Sequence, residues 1–173
     1  MKTDAADNSG VPFQQTCRYA PYMARDTGLL GGTTLLTLQG EIPVDCVSIG
    51  DKVITRDSGI ARVTHLQRST RMVHTIAVAA GSLGHTRPEC DAMLAGDQMC
   101  LIRDWRAQAM FGADRALVAA RTLVDGEFIR DLGLREQTLF QIFCEGPHIL
   151  YAQGLEVSTA DGARARGQVL HAA

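Results

Sequence analysis

Few residue sets in this chain could do chemistry by type and spacing alone. Cys144 and His148 lie four residues apart, with Glu145 between them and Gly146-Pro147 supplying a turn that would let the two side chains approach. A thiol activated by a neighbouring imidazole is a nucleophile for acyl transfer. The plainer reading, a strand thiol beside a surface histidine, is favoured. His65, His74 and His85 do not cluster in sequence and give no support for a metal site. Glu89, Asp91 and Asp97 gather around Gly96 without EF-hand or nonapeptide spacing, so a solvated acidic loop is expected rather than a calcium site. The cysteines, Cys17, Cys46, Cys90, Cys100 and Cys144, are odd in number and hold no C-x-x-C pair. That argues against a disulfide framework and a zinc centre, and for free thiols, several of them buried. Trp105, between Asp104 and Arg106, reads as a core or rim aromatic. No metal and no cofactor are expected.

Composition narrows the function classes. A length of 173 residues suits one domain with one sizeable core, and 46% apolar with 21% charged residues is ordinary for a globular protein. No apolar run approaches the ~20 residues that a spanning helix needs, so no membrane role is expected. The net charge of -2 and the lack of a basic stripe with interleaved aromatics speak against nucleic acid as a partner. The opening MKTDAADNSG lacks the apolar segment of a secretory signal. The cytoplasm is the default location, with export by a non-classical route left open.

The elements that must position any site are short strands between turns. Thr34 to Leu38 and Glu41 to Val47 flank Gln39-Gly40, a hairpin signal. Gly50-Asp51 leads into Lys52 to Arg56, and Asp57-Ser58-Gly59 turns the chain into a long, half-exposed strand over Ile60 to Thr70. Val73 to Val78, Met99 to Ile102, Glu127 to Arg130, Gln137 to Cys144 and His148 to Tyr151 follow as further strands. Ser82 to Glu89 reads as a polar loop, Ala107 to Phe111 is ambiguous, and Ala116 to Val124 reads as a short helix or turn. Turns every ~8–12 residues imply an all-β domain. A weak internal echo, Val44…Gly50-Asp51-Lys52-Val53-Ile54 against Val118…Val124-Asp125-Gly126-Glu127-Phe128-Ile129, recurs at an offset of 74 residues and suggests two related β subdomains. The chain divides into a leader over 1–27, a domain over 28–156 and a loosely ordered tail over 157–173; Arg18 to Tyr22 of the leader could pack as a strap.

The stretch GLLGGTTLLTLQGEIPVDCVSIGDKVITRDSG resembles the first motif region of bacterial Hint (hedgehog/intein) domains, with Gly32-Thr33, Gly40, Val44 and Gly50-Asp51 in register. Leu101 to Arg130, with RDWRAQAMFG and LVDGEFI, is similar to the middle of the alphaproteobacterial type, and Leu139 to Leu155 to its closing strands. The resemblance implies a flat, horseshoe-like β fold with pseudo-two-fold related halves. It also implies a chemistry of autoproteolysis or protein splicing. A first-position Cys attacks the preceding carbonyl, and a Ser/Thr and a His three residues later polarise the scissile peptide and protonate its nitrogen. Carried over residue by residue, the nucleophile position is Gly28, the Ser/Thr position Ala95, the His position Gln98, and a late His position Gln141. None of the four bears the family's functional group. Glutamine cannot shuttle a proton near neutral pH, where a general acid–base residue contributes ~10²–10⁴ in rate. A one-residue slip would offer Thr27 as a hydroxyl nucleophile for cleavage near residues 27 and 28; the reading of Thr27 as a loop residue is preferred. The expectation is a stand-alone Hint-like domain with a degenerate active site and lost cleavage activity, in a binding or structural role with an unknown protein partner. Retained self-processing, or an unrelated small all-β binding domain, are the alternatives.

Overall fold

The computed structural model describes residues 26–160. Cys17, the strap at Arg18 to Tyr22 and the tail from Asp161 onward lie outside the described residues. The described chain builds two antiparallel sheets around one main core.

The first sheet has the strand order β1-β10-β6-β7, where β1 is Leu29–Leu30, β6 is His65–Val78, β7 is Ala92–Ala95 and β10 is Ile129–Phe143. Its spine is the long β6–β10 ladder, which runs from Val78↔Ile129 to His65↔Phe143 with an irregularity between Asp131 and Leu134. The second sheet follows the order β3-β2-β4-β11-β12-β8-β9, with β5 paired to β4. Here β2 is Thr34–Thr37, β3 Gly40–Pro43, β4 Lys52–Thr55, β5 Gly59–Arg62, β8 Met99–Ile102, β9 Ala116–Ala119, β11 Ile149–Ala152 and β12 Leu155–Ser158. Leu35, Val53, Val63, Ile76, Ile129, Leu150 and Val157 are fully buried between these elements. A smaller cluster of Leu30, Val73, Ala95 and Leu139 lies apart from this core.

The hairpin at Gln39-Gly40 forms as its residues predict. Gly40 takes a φ of 102°, and Thr37 Oγ1 donates to its carbonyl at 2.8 Å. The Asp57-Ser58-Gly59 turn likewise joins β4 to β5. Elsewhere the ladder overrides the apolar pattern. The strands expected at Ile60 to Thr70 and Val73 to Val78 are divided differently: β5 ends at Arg62, and β6 runs unbroken through Arg71-Met72. Its outer half carries polar residues on both faces and is held by backbone pairing to β10, with a Thr70–Thr138 hydroxyl contact of 3.0 Å. The same pairing fuses Glu127 to Arg130 and Gln137 to Cys144 into the single strand β10, which opens at Ile129 and closes at Phe143. Ala116–Ala119 is a strand, because it pairs with β8, and only Ala120–Leu123 winds into a 3-10 turn. Trp105–Phe111 settles as a short helix, α1. Asp104 caps it by accepting from the Arg106 N–H at 3.1 Å, and Gly112 ends it in the left-handed conformation.

The internal echo holds at the level of elements. β3 is followed by a 3-10 turn at Val44–Cys46 and then β4, just as β9 is followed by Ala120–Leu123 and then β10. Trp105 does not join the core. It opens α1 at 71% exposure, with the Arg106 guanidinium 5.1 Å from its ring centroid. β12 carries the fold past residue 156, and Ala160 N–H still donates to the Ile142 carbonyl at 2.9 Å. Among the described residues no helix is long and apolar enough to cross a membrane.

Candidate functional site

Thr27, Gly28, Gln98 and Gln141, scattered over more than a hundred positions, meet around one peptide bond, and Ala95 lies in the strand that leads to Gln98. The described chain begins at Asp26 and passes between the β7–β8 turn and β10. The turn is shaped by close approach at Gly96, whose N–H donates to the His74 carbonyl at 2.8 Å. A Cβ there would stand 3.0 Å from Arg121 Nη2 and 3.1 Å from His74 Cβ. The turn then bonds to the segment before β1: Asp97 N–H donates to the Asp26 carbonyl at 3.0 Å, and Thr27 Oγ1 donates to the Asp97 carbonyl at 3.4 Å.

The bond between Thr27 and Gly28 is held at both of its polar atoms by a side-chain amide. Gln141 Nε2 donates to the Thr27 carbonyl at 3.1 Å, and Gly28 N–H donates to Gln98 Oε1 at 3.0 Å. Gln98 is 1% exposed. Its Nε2 donates to the carbonyls of Ser158 at 2.9 Å and Met99 at 3.2 Å, so its two donor hydrogens and its oxygen all have partners. That set of partners also settles which end of the amide faces Gly28. Ala95 is buried and offers only its carbonyl, to Gln98 N–H at 3.0 Å. Gly28 has a φ of 137°, which side chains rarely adopt, and a Cβ there would lie 3.1 Å from the Phe140 carbonyl oxygen.

A charged bracket that sequence reasoning missed surrounds this clamp. Arg121 Nε meets Asp97 Oδ1 at 2.9 Å, and its Nη2 reaches Asp26 Oδ2 at 3.5 Å. Asp26 Oδ2 also accepts the His74 backbone N–H at 3.1 Å, while the His74 ring pairs with Asp131 at 3.1 Å. Residues 26, 97 and 121 share no local spacing, so no pattern could have linked them. Asp97 is consequently buried and ion-paired rather than part of a solvated acidic loop. Asp91, from the same expected loop, accepts the Ala80 N–H at 2.9 Å instead.

The remaining candidates take separate places. Cys144 is buried, and its carbonyl accepts from Thr64 Oγ1 at 3.1 Å. His148 turns Nδ1 to Asp57 Oδ2 at 2.7 Å and to Ser58 Oγ at 3.3 Å. Both contacts fall on one ring nitrogen, so the group lacks the relay in which an acid and a nucleophile take opposite nitrogens. Burial pushes the Asp57 carboxyl up, but the Ile149 N–H and His148 outweigh it and hold the group below its ordinary value. Burial alone pushes the Cys100 thiol up to about 12, which removes it as a nucleophile near neutral pH. His65 stacks obliquely on Phe143, and His85 lies in a loop far along the chain. Among the described residues no three His, Cys, Asp or Glu side chains converge on a metal position.

Comparison with known proteins places the fold. The Hint domain family model matches residues 27–162. No curated protein matches the chain in sequence. Among solved structures, the gp41-1 intein superposes with a TM-score of 0.52 at 15% identity, over 75% of this chain and 96% of that one. A bacterial intein-like domain from Clostridium thermocellum gives 0.51 at 13% identity, over 77% and 97%. The DnaX mini intein from Spirulina platensis gives 0.50 at 15%, over 75% and 98%. At such identities the likeness is one of fold, and that fold is the all-β intein fold read from the sequence.

Proposed function

The chain belongs to the Hint domain family, and we propose that it is a catalytically silent member that leaves its Thr27–Gly28 bond intact and serves as a protein-binding or structural scaffold. The observation that carries this reading is residue 28. An acyl shift at this bond starts from a thiol or hydroxyl on that residue. Glycine supplies neither, and its φ of 137° beside the Phe140 carbonyl disfavours any side chain there. The backbone, as well as the residue type, is therefore set against a nucleophile.

The two glutamines support the same reading. The Gln141 donor on the Thr27 carbonyl would favour charge developing on that oxygen, as an oxyanion-hole donor does. Without an attacking group no such charge develops. On the other side of the bond Gln98 presents an acceptor to the Gly28 N–H. An acceptor at that nitrogen cannot deliver the proton a leaving amine needs, and the amide has no proton to transfer near neutral pH. The pair stabilises the ground-state peptide. A scaffold kept without the chemistry supports a binding or structural role, with a protein as the partner class.

The test uses hydroxylamine. Any shift at residue 27 or 28 creates an ester or thioester, which hydroxylamine cleaves to a hydroxamate. The reading expects no hydroxamate-terminated fragment from the full chain. A fragment ending at Asp26 would overturn it in favour of Thr27 as a living nucleophile.

A further inference from the structure

A second cluster of functional groups lies at the other end of β8 from Gln98. Glu156, on β12, is 4% exposed and is met by three arginines. Its Oε1 receives Arg56 Nη1 at 2.8 Å, Arg103 Nη2 at 2.9 Å and Arg87 Nη1 at 3.2 Å, and its Oε2 receives Arg103 Nε at 3.0 Å. Among the described residues Glu156 is the side-chain partner of all three guanidiniums. One carboxylate against three permanent cations leaves two positive charges in excess.

Beside this cluster opens a cavity of about 100 Å³, lined by Arg87, Arg103, Leu83, Leu101, Leu155 and Glu156 itself among others. Arg87 and Arg103 are about one-third exposed, so donors not spent on Glu156 remain within reach of a ligand. Asp104 packs against Gly84, and its carboxylate is taken by Arg106. It does not neutralise the surplus.

The loop that supplies Arg87 and His85 is held in an uncommon shape. His85 and Thr86 adopt φ of 50° and 58° in succession, a conformation that non-glycine residues seldom take. Backbone of this kind is retained where the surroundings over-determine it, ligand clamps among them. Here Leu83 N–H donates to the Arg87 carbonyl at 2.9 Å and Arg87 N–H to the Gly84 carbonyl at 3.1 Å, closing the loop on the arginine.

We propose that the cavity between this loop and the ends of β8 and β12 binds a small oxyanion, a phosphate or carboxylate group, through Arg87 and Arg103. Guanidinium forks match the paired oxygens of both groups. The volume exceeds the ~30 Å³ share of a water several-fold and falls below the ~300 Å³ at which drug-sized ligands begin, so it suits one such group and not a nucleotide. The apolar lining from Leu83, Leu101 and Leu155 lowers the local dielectric and strengthens the charge pairing.

Calorimetric titration of the full chain with inorganic phosphate and with acetate, each against chloride at matched ionic strength, tests this. Saturable binding of one or both is expected, and their ranking tells a tetrahedral from a planar oxyanion. Arg87→Gln should weaken binding about tenfold or more, since a charge-assisted hydrogen bond is lost. Arg87→Lys, which keeps the charge and loses the fork, should fall between, and it serves as the test if the glutamine variant does not fold by circular dichroism. No saturation by either anion beyond the chloride control, or undiminished binding in the folded Arg87 variant, would overturn the assignment.

Discussion

The Thr27–Gly28 clamp and the arginine cleft hang from the same two strands yet solve opposite problems. β8 lies between Gln98 and Arg103, and β12 carries both the Ser158 carbonyl that holds Gln98 and the Glu156 carboxylate that gathers the arginines. In the clamp every polar atom of the peptide meets a neutral amide, one donor to one acceptor. In the cleft three cations share one anion. A matched set needs nothing further and reads as architecture. An unmatched set presents a standing demand for a partner, and reads as a place to bind one.

The contrast can be broken by mutation. The largest effect is expected from Glu156→Gln, which leaves three guanidiniums facing a neutral amide. Removing one partner from a buried ion cluster costs about 3–5 kcal/mol, and urea unfolding should show the midpoint falling accordingly. A shift too small to measure would mean that water, not Glu156, keeps the arginines apart. Gln98→Ala comes next. It strands the Gly28 N–H and the Ser158 carbonyl in a buried setting and opens a small void, for a loss of about 2–3 kcal/mol by the same measurement. Gly28→Ala should cost about 1–2 kcal/mol through backbone strain alone. An alanine tolerated at no cost would show that position 28 still has room for a side chain, and would weaken the argument from its φ.

The smallest effect concerns pH. The clamp contains no group that titrates near neutrality, so its contribution to stability should be flat there. Asp57, held below its ordinary value of 3.8 against the opposing effect of burial, behaves differently. A depressed carboxyl contributes stability that is present above its unfolded pKa and lost as pH falls through the folded one. Thermal melts below about pH 4 should therefore decline less steeply for Asp57→Asn than for the unsubstituted chain. Equal slopes would place the acid sensitivity elsewhere.

Much of the fold was legible because turn chemistry is local. Gln39-Gly40 and Asp57-Ser58-Gly59 specify hairpins within three residues, and both formed. β6 and β10 were misdivided because their outer halves satisfy the backbone by pairing with each other, a fact that Arg68, Arg71 and Glu136 conceal from any reading of apolar periodicity. β7, inside what reads as an acidic loop, is too short to announce itself and exists because Thr75 to Val78 template it. The members of the clamp were reachable through the resemblance, by position alone. Their mutual contacts were not, since Gln98 in a turn and Gln141 in a strand look like any polar residue until Thr27 and Gly28 lie between them. The Asp26–Asp97–Arg121 bracket and the arginines around Glu156 join residues 24 to 100 positions apart, and only the folded sheets bring them together.

The central claim is that the Thr27–Gly28 bond is inert, and the intact mass of freshly purified protein, followed over a day from mildly acid to mildly alkaline pH, tests it most directly. A single unchanging species at the full 18.7 kDa is the predicted result. A fragment beginning at Thr27 or Gly28 that accumulates with time would contradict it.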